Sequence, residues 1–188
     1  MKKLFTAFQK IVMSSTTTAS KTEKKDESIK KTAKARSGLQ ELSSPIDGEI
    51  IALSSVPEGA FSGKLLGDGF AIIPTGNKVY SPVDGEVVVL FPTKHAVVIL
   101  TEEGLEILIH IGINTSSLKG EGFTVHVEKG TKVKNGDLLI TFDNEIIKKS
   151  GKSLISPIII TNMNVVKELS VDLGNKKALE KACEVTLV

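Results

Sequence analysis

Two histidines lie fifteen residues apart in the stretch KHAVVILTEEGLEILIHIGIN, residues 94–114. Its apolar segments 94–101 and 105–113 flank a short polar turn, a pattern typical of a β-hairpin. With a two- or four-residue turn, His95 lies directly opposite His110 and their Cβ atoms are ~4.5–5.5 Å apart. We predict this register. A three-residue Glu-Glu-Gly turn would shift the register by one residue, and a bulge would then be needed to bring the histidines together.

The second segment of this hairpin alternates in character. The side chains on one face are all apolar and are expected to be core: Leu105, Ile107, Ile109, Ile111 and Ile113. The opposite face carries Glu106, Leu108, His110, Gly112 and Asn114. Both histidines are therefore expected on the face away from the core. Two imidazoles side by side indicate either a shared metal ion or joint handling of a phosphoryl group. His126 has no such partner and is predicted to lie on the surface.

The elements around the hairpin predict an all-β protein. From Leu39 onward, short apolar runs alternate with Gly, Pro and Asp-Gly turns, which is typical of an antiparallel β-sandwich or barrel. SPIDGEIIAL (44–53) recurs as SPVDGEVVVL (81–90), which predicts two similar hairpins related by pseudo-symmetry. Residues 129–143 form a third strand-turn-strand unit. Short helices are predicted at 144–151 and 164–170.

The N-terminal residues differ from the rest of the chain. Residues 1–38 carry ten Lys or Arg and three Asp or Glu, a net +7, whereas the remainder carries 14 and 19, a net −5. Residues 1–12 place apolar side chains on one helical stripe, which predicts a basic amphipathic segment that contacts an anionic membrane surface. Residues 13–38 are rich in Ser, Thr and Lys and predict a flexible linker. The acidic remainder, 39–188, is the predicted folded domain and does not resemble a nucleic-acid-binding domain.

The motifs of 39–170 resemble one family in sequence order. They are SPIDG (44–48), the VPEGAF to PTGN block (56–77), SPVDG (81–85), FPTKHA (91–96), GLEILIHIGINT (104–115), LKGEGF (118–123) and ISPIIITNM (155–163). This set is similar to the glucose-type IIA component of the bacterial phosphoenolpyruvate:sugar phosphotransferase system. The resemblance implies a mostly antiparallel β-sandwich with short helices that acts as a phosphoryl carrier.

The resemblance also implies roles for three residues. His110 accepts a phosphoryl group from the phosphocarrier protein HPr and passes it to a cysteine of a IIB domain of a sugar permease. His95 assists, and Thr93 supplies a hydroxyl that supports the pair. A neutral imidazole is nucleophilic at one nitrogen only when the other holds the proton, so a carbonyl near Gly112 is expected to fix the tautomer of His110. No metal is required for the transfer, although zinc bridging the two histidines with a partner's carboxylate is an open alternative.

Partner docking is expected to use an apolar collar around the histidines. By the family pattern its members are Phe61, Leu65, Phe91 and Leu108, and Glu106 is expected to meet basic residues of HPr. The chain departs from the family where Asn114 replaces the usual Asp, where Ser116 replaces a small apolar residue, and where Gly59–Ala60 precedes Phe61. These changes bear on the choice of partner more than on the chemistry.

Features of the sequence bear on three other functions. A lipoyl or biotinyl domain needs an exposed lysine at a hairpin tip, and Asn162-Met163-Asn164 occupies that position. A zinc peptidase of the LytM type needs an H-x-H element, which the chain lacks. A IIA-like regulatory binding protein without carrier turnover remains the alternative. The single cysteine, Cys183, and the lack of a long apolar run favour a cytoplasmic protein, free or peripheral at the inner membrane face.

Overall fold

Fourteen short strands make up most of the regular secondary structure in the described part of the chain. The structure is a computed structural model that describes residues 38–188. The predicted segment 1–12, and all but the last residue of the predicted linker 13–38, lie outside the described residues. The strands are β1 Leu39–Ser43, β2 Gly48–Ala52, β3 Asp68–Pro74, β4 Lys78–Tyr80, β5 Gly85–Leu90, β6 Ala96–Leu100, β7 Glu106–His110, β8 Phe123–Val125, β9 Lys132–Val133, β10 Leu138–Phe142, β11 Ser156–Ile160, β12 Val166–Val171, β13 Gly174–Lys176 and β14 Lys181–Leu187.

The strands form three sheets in which every described pairing is antiparallel. The largest has eight strands in the order β13-β2-β3-β11-β7-β6-β5-β9. Two three-stranded sheets have the orders β1-β14-β12 and β4-β10-β8. The helices are short: α1 Gly59–Ser62, α2 Asn144–Lys149 and 3₁₀ turns at Leu53–Ser55, Thr115–Leu118 and Met163–Val165. The predicted antiparallel all-β sandwich with short helices is confirmed.

One of the two predicted helices is present and the other is wrong. In α2, the Asp143 side chain caps the helix by accepting hydrogen bonds from the backbone N–H groups of Glu145 and Ile146. The region 164–170, predicted to be helical, instead forms a 3₁₀ turn and strand β12. β12 pairs with β14, where Leu169 lies opposite Val185. Strand pairing to a buried neighbour outweighs the weak local helix preference of this segment.

The two copies of the sequence repeat form similar turns and strand pairs. They supply β2 and β5, which pair with β3 and β6 respectively. In the two SPxDG turns the serine hydroxyl donates to the carbonyl two residues later, from Ser44 to Ile46 at 2.8 Å and from Ser81 to Val83 at 2.7 Å. The turns also exchange reciprocal backbone bonds, since Ser43 N–H donates to Pro82 O at 3.0 Å and Tyr80 N–H donates to Pro45 O at 2.9 Å.

The two faces of the eight-stranded sheet bury different layers. On one face all three sheets share a core, to which β7 contributes Ile109, β10 contributes Ile140 and β14 contributes Val185, each fully buried. The predicted core face of the histidine strand is confirmed, because Leu105, Ile107, Ile109, Ile111 and Ile113 are all buried. The other face carries a second, smaller set of buried apolar side chains: Leu53, Val56, Phe61, Phe91, Ala96, Val98, Leu108 and Ile159. The histidines border this second layer.

Candidate active site

The predicted register of the histidine hairpin is wrong by one residue. Ala96, not His95, pairs with His110, and Val97 pairs with Ile109. The strands are joined by the three-residue turn Glu102-Glu103-Gly104, the alternative considered from sequence. Its geometry is set by Gly104, which has φ +92°, and by the hydrogen bond of 3.1 Å from Gly104 N–H to Thr101 O. Glycine tolerates this left-handed conformation, so a three-residue turn forms. The cross-strand pairs are therefore offset by one residue from those of a two- or four-residue turn.

The histidines still meet, because His95 lies in a loop and not in a strand. The β5–β6 connection turns at Lys94, whose N–H donates to Phe91 O at 2.8 Å and whose φ is +58°. Strand alternation therefore does not extend back to His95. The His95 carbonyl nevertheless accepts a hydrogen bond of 2.8 Å from the Ile111 N–H. The ring centroids of His95 and His110 are 4.7 Å apart, and the rings are nearly perpendicular at 82°. The irregular loop, and not a bulge in the strand, therefore brings the two histidines together.

His110 is held in one tautomer by the backbone. Its Nδ1 lies 2.8 Å from the carbonyl oxygen of Gly112, which can only accept a hydrogen bond. Nδ1 therefore carries the proton and Nε2 presents a lone pair. The Gly112 carbonyl is the acceptor expected from the sequence. Gly112 has φ +70°, and a Cβ atom at this position would lie 2.6 Å from Ser153 O and 2.6 Å from Thr115 Cγ2, so only glycine fits.

The peptide groups around Gly112 are tied to the segment that leads into β11. The Gly112 N–H donates to Ser156 Oγ at 3.1 Å, and the Ile113 N–H donates to Ser153 O at 2.9 Å. Sequence reasoning did not identify Ser153 or Ser156, because they follow the histidine by more than forty residues and no motif spacing links them.

His95 is held by a side-chain hydrogen bond within its own loop. Its Nδ1 lies 2.7 Å from Thr93 Oγ1, two residues earlier in the same loop. When the threonine hydroxyl donates this bond, His95 Nε2 retains its hydrogen and becomes a donor. The His95 side chain is buried, with 2% exposure, although it lies outside the main core cluster.

Both imidazoles are neutral at physiological pH. Burial lowers the pKa of His95 from 6.5 to about 3, assisted by the neighbouring His110 and opposed by the hydrogen bond with Thr93. Burial also lowers the pKa of His110 to about 4, opposed by its hydrogen bond to Gly112. Desolvation disfavours a charged imidazole. A free lone pair on His110 Nε2 is thus available without prior loss of a proton.

The predicted collar is only partly a surface. The Phe61 ring lies 5.2 Å from the His110 ring, and the Phe91 ring lies 5.6 Å from the His95 ring. Phe61 is 6% exposed and Phe91 9%, so little of either side chain reaches the surface, whereas Leu65 is 70% exposed. Leu108 is fully buried. Its placement in the docking collar was wrong, because its strand face is covered by the second apolar layer.

Two further predicted residues lie on the histidine strand or just after it: Glu106 begins β7, and Asn114 follows its end. Glu106 is exposed, and its carboxylate accepts a hydrogen bond of 3.1 Å from the Thr161 hydroxyl. Asn114, where the resemblance led us to expect Asp, is exposed and has a left-handed backbone with φ 59° and ψ 22°. Asparagine tolerates this conformation better than most residues. The substitution therefore removes a charge without straining the turn.

The residues present do not make a metal site by themselves. In residues 38–188, no third His, Cys, Asp or Glu lies close enough to join His95 and His110 around a metal ion. Structural and catalytic zinc sites normally use at least three protein ligands. His110 Nδ1 is also engaged by the Gly112 carbonyl, which leaves one ring nitrogen.

None of the helices in residues 38–188 has the length and apolar character needed to cross a bilayer.

The chain matches known proteins over this site and fold. The family described as "phosphoenolpyruvate-dependent sugar phosphotransferase system, EIIA 1" matches residues 40–166. The solved structure of glucose permease IIA from Mycoplasma capricolum is similar, with 42% sequence identity and a TM-score of 0.75. That match covers 78% of this chain and 96% of the other. The chain therefore belongs to the EIIA family of the phosphoenolpyruvate-dependent sugar phosphotransferase system.

Proposed function

We propose that His110 carries a phosphoryl group between phospho-HPr and a IIB domain. The observation that carries the proposal is the contact between Nδ1 of His110 and the Gly112 carbonyl at 2.8 Å, beside a second imidazole at 4.7 Å. This arrangement presents a neutral nucleophilic nitrogen and a neighbouring donor, as expected for a phosphotransferase component of this family. Phosphoryl transfer relies mainly on positioning and on stabilising the charge of the transferring group.

The chemistry balances without a cofactor. The Nε2 lone pair of His110 attacks phosphorus on phospho-HPr, the new P–N bond forms, and the P–N bond to the HPr histidine breaks. A thiolate on the IIB domain then attacks the same phosphorus and the bond to His110 breaks. Neither step requires His110 Nε2 to lose a proton, because this atom has none in the tautomer held by Gly112.

His95 is proposed to stabilise the transferring group. When the Thr93 hydroxyl donates to Nδ1, the hydrogen on His95 Nε2 is free to bond an equatorial phosphoryl oxygen. A preorganised donor of this kind stabilises charge that develops in the transition state. Because His95 is buried and neutral, it supplies a hydrogen bond to the phosphoryl group without carrying a positive charge.

Docking is proposed to centre on the exposed edge of the site. Leu65 is the collar residue with the greatest exposure, and the rings of Phe61 and Phe91 lie beside His110 and His95 respectively. Glu106 and the net acidic character of residues 39–188 favour a basic partner surface. The relative's name makes the IIB domain of a glucose permease the first acceptor to test.

The deciding experiment is phosphorylation with phosphoenolpyruvate, enzyme I and HPr, followed by a chase with IIB. We expect one acid-labile, base-stable phosphoryl group per chain. The label should be absent in His110→Ala and normal in His126→Ala, a matched control in an exposed part of the surface. Label that survives His110→Ala would refute the assignment. A labelled protein that gives nothing to several IIB domains would instead favour the regulatory alternative, for which the loss of charge at Asn114 is the motivating observation.

Membrane contact through residues 1–12 is a separate proposal. It rests on the apolar stripe and on Lys2, Lys3 and Lys10 beside it. We expect the full chain to sediment with vesicles that contain anionic lipid and to remain in solution with neutral vesicles. The variant in which all three lysines are replaced by Glu should lose this binding. Equal sedimentation of the variant and the unaltered chain would contradict the proposal.

A further inference from the structure

The acceptor that fixes the tautomer of His110 is the Gly112 carbonyl, and the peptide groups on both sides of Gly112 are hydrogen-bonded to residues near the start of β11. Two consecutive peptide groups flank Gly112. The first, which contains the Gly112 N–H, bonds to Ser156 Oγ at 3.1 Å. The second, which contains the Gly112 carbonyl and the Ile113 N–H, bonds to Ser153 O at 2.9 Å. The carbonyl that meets His110 is therefore fixed through both of its neighbours.

Ser156 is the side chain that accepts the hydrogen bond from the Gly112 N–H, and the Thr115 hydroxyl donates to the Ile111 carbonyl of the same peptide group. Ser156 is fully buried, and its hydroxyl donates to Leu154 O at 2.8 Å while it accepts from Gly112 N–H. The hydroxyl thus donates one hydrogen bond and accepts another, both within the protein. Ser156 is also the first residue of β11, whose Ile158 pairs with Ile109 of the histidine strand. The anchor and the histidine consequently belong to neighbouring strands of one sheet.

We propose that Ser156 is a positioning residue for phosphoryl transfer. By holding the Gly112 peptide, it keeps the Gly112 carbonyl directed at Nδ1 of His110 and thereby keeps the lone pair on Nε2. This inference rests on the proposed role of His110 as the phosphoryl acceptor. Ser156 touches neither the phosphoryl group nor the histidine, and it acts only through the backbone.

The physical consequence is a change in tautomer. A histidine side chain in water favours the form with hydrogen on Nε2, which has no lone pair at the nitrogen that must attack. If the Gly112 carbonyl moves, the bond that opposes this preference weakens. We expect the tautomer ratio of His110 to shift roughly fivefold, which corresponds to one hydrogen bond of about 1 kcal/mol. The rate of phosphoryl uptake from phospho-HPr should fall in parallel with the fraction of the Nδ1–H form.

The test uses the full chain and compares three substitutions. Ser156→Ala removes the hydroxyl, and Ser156→Thr retains it. Ser81→Ala is the matched control, because Ser81 is also fully buried and also donates to a nearby carbonyl, that of Val83 at 2.7 Å. Nitrogen chemical shifts of the His110 ring report the tautomer in the unphosphorylated protein, and rapid-quench measurements report transfer from phospho-HPr.

The expected result is a shift in tautomer and a slower transfer for Ser156→Ala, near-normal values for Ser156→Thr, and no change for Ser81→Ala. An unchanged His110 tautomer in folded Ser156→Ala would overturn the proposal, whatever its rate. If the alanine variant does not fold, Ser156→Cys provides the test, because sulfur is a weak acceptor, and an unchanged tautomer there overturns the proposal equally. Failure of the carrier function itself would appear separately, as an unaltered chain that takes no phosphoryl group.

Discussion

The burial that keeps both histidines neutral is expected to make the protein sensitive to mild acid. In the unfolded chain a histidine titrates near pH 6.5, whereas in the folded protein the pKa of His95 is about 3 and that of His110 about 4. Between pH 6.5 and these lower values, the unfolded state binds protons that the folded state does not. Stability therefore falls as pH decreases through this window and is retained above it.

The magnitude follows from the linkage relation. Lowering the pH from 7 to 5 should reduce the free energy of unfolding by about 2 kcal/mol for each of the two histidines, since one pK unit is worth about 1.4 kcal/mol. The result at pH 5 depends little on the folded pKa values, because both lie at least about one unit lower. Most carboxylates remain ionised in this range, so the histidines dominate the change.

Urea denaturation at pH 7, 6 and 5 measures this dependence. His95→Gln should remove about half of the difference between pH 7 and pH 5, and the double variant with His110→Gln should remove most of it. The comparison uses the difference within each variant, so a general loss of stability from the substitution cancels. The reasoning would be refuted by stability that is level between pH 7 and 5, or by an equal decrease in the double variant.

Three further predictions concern single contacts. Gly112→Ala should lower the free energy of unfolding by more than about 2 kcal/mol and abolish labelling of His110, because the new Cβ would meet Ser153 O. Gly130→Ala is the control, since Gly130 has φ +91° and no atom within 4 Å of the new Cβ. In the same urea titration, Gly130→Ala should lose only the stability that the strained backbone conformation costs. Thr93→Val should slow transfer from phospho-HPr by roughly three- to tenfold, measured by rapid quench, and an unchanged rate would exclude a role for the 2.7 Å contact with His95. Asp143→Ala should cost about 1 kcal/mol in thermal or urea unfolding through loss of the α2 cap, and leave phosphorylation intact.

Periodicity and short motifs were sufficient for much of the fold. The alternation of Leu105, Ile107 and Ile109 requires only that one face of a strand be buried, which is a local property of the sequence. The repeated SPxDG turns likewise predict similar hairpins, since within each turn the serine hydroxyl bonds to a carbonyl only two residues later. The prediction failed for 164–170, where pairing with β14, which begins at Lys181, decides between helix and strand. Such long-range pairing leaves little trace in a short window.

The pairing of the histidines shows the same division. Residue types and the family motifs predicted that His95 and His110 act together with Thr93, and a carbonyl near Gly112 was expected. The sequence left two turns open for residues 101–105, and the left-handed conformation of Gly104 decided the register. The left-handed Lys94 then placed His95 beside His110 although the strands are offset by one residue. Conformations of single residues are settled by the packing around them, so alternation could not supply them.

The sequence determined the chemistry: two imidazoles, a hydroxyl two residues before one of them, and a glycine two residues after the other. Only the tertiary structure decided how these groups are held. The low pKa values arise from burial against the second apolar layer, Leu108 proved to lie beneath the surface, and Ser156 reaches Gly112 from forty-four residues away. Each of these depends on atoms brought together across sheets and loops, and desolvation and hydrogen bonding act through space and not along the chain.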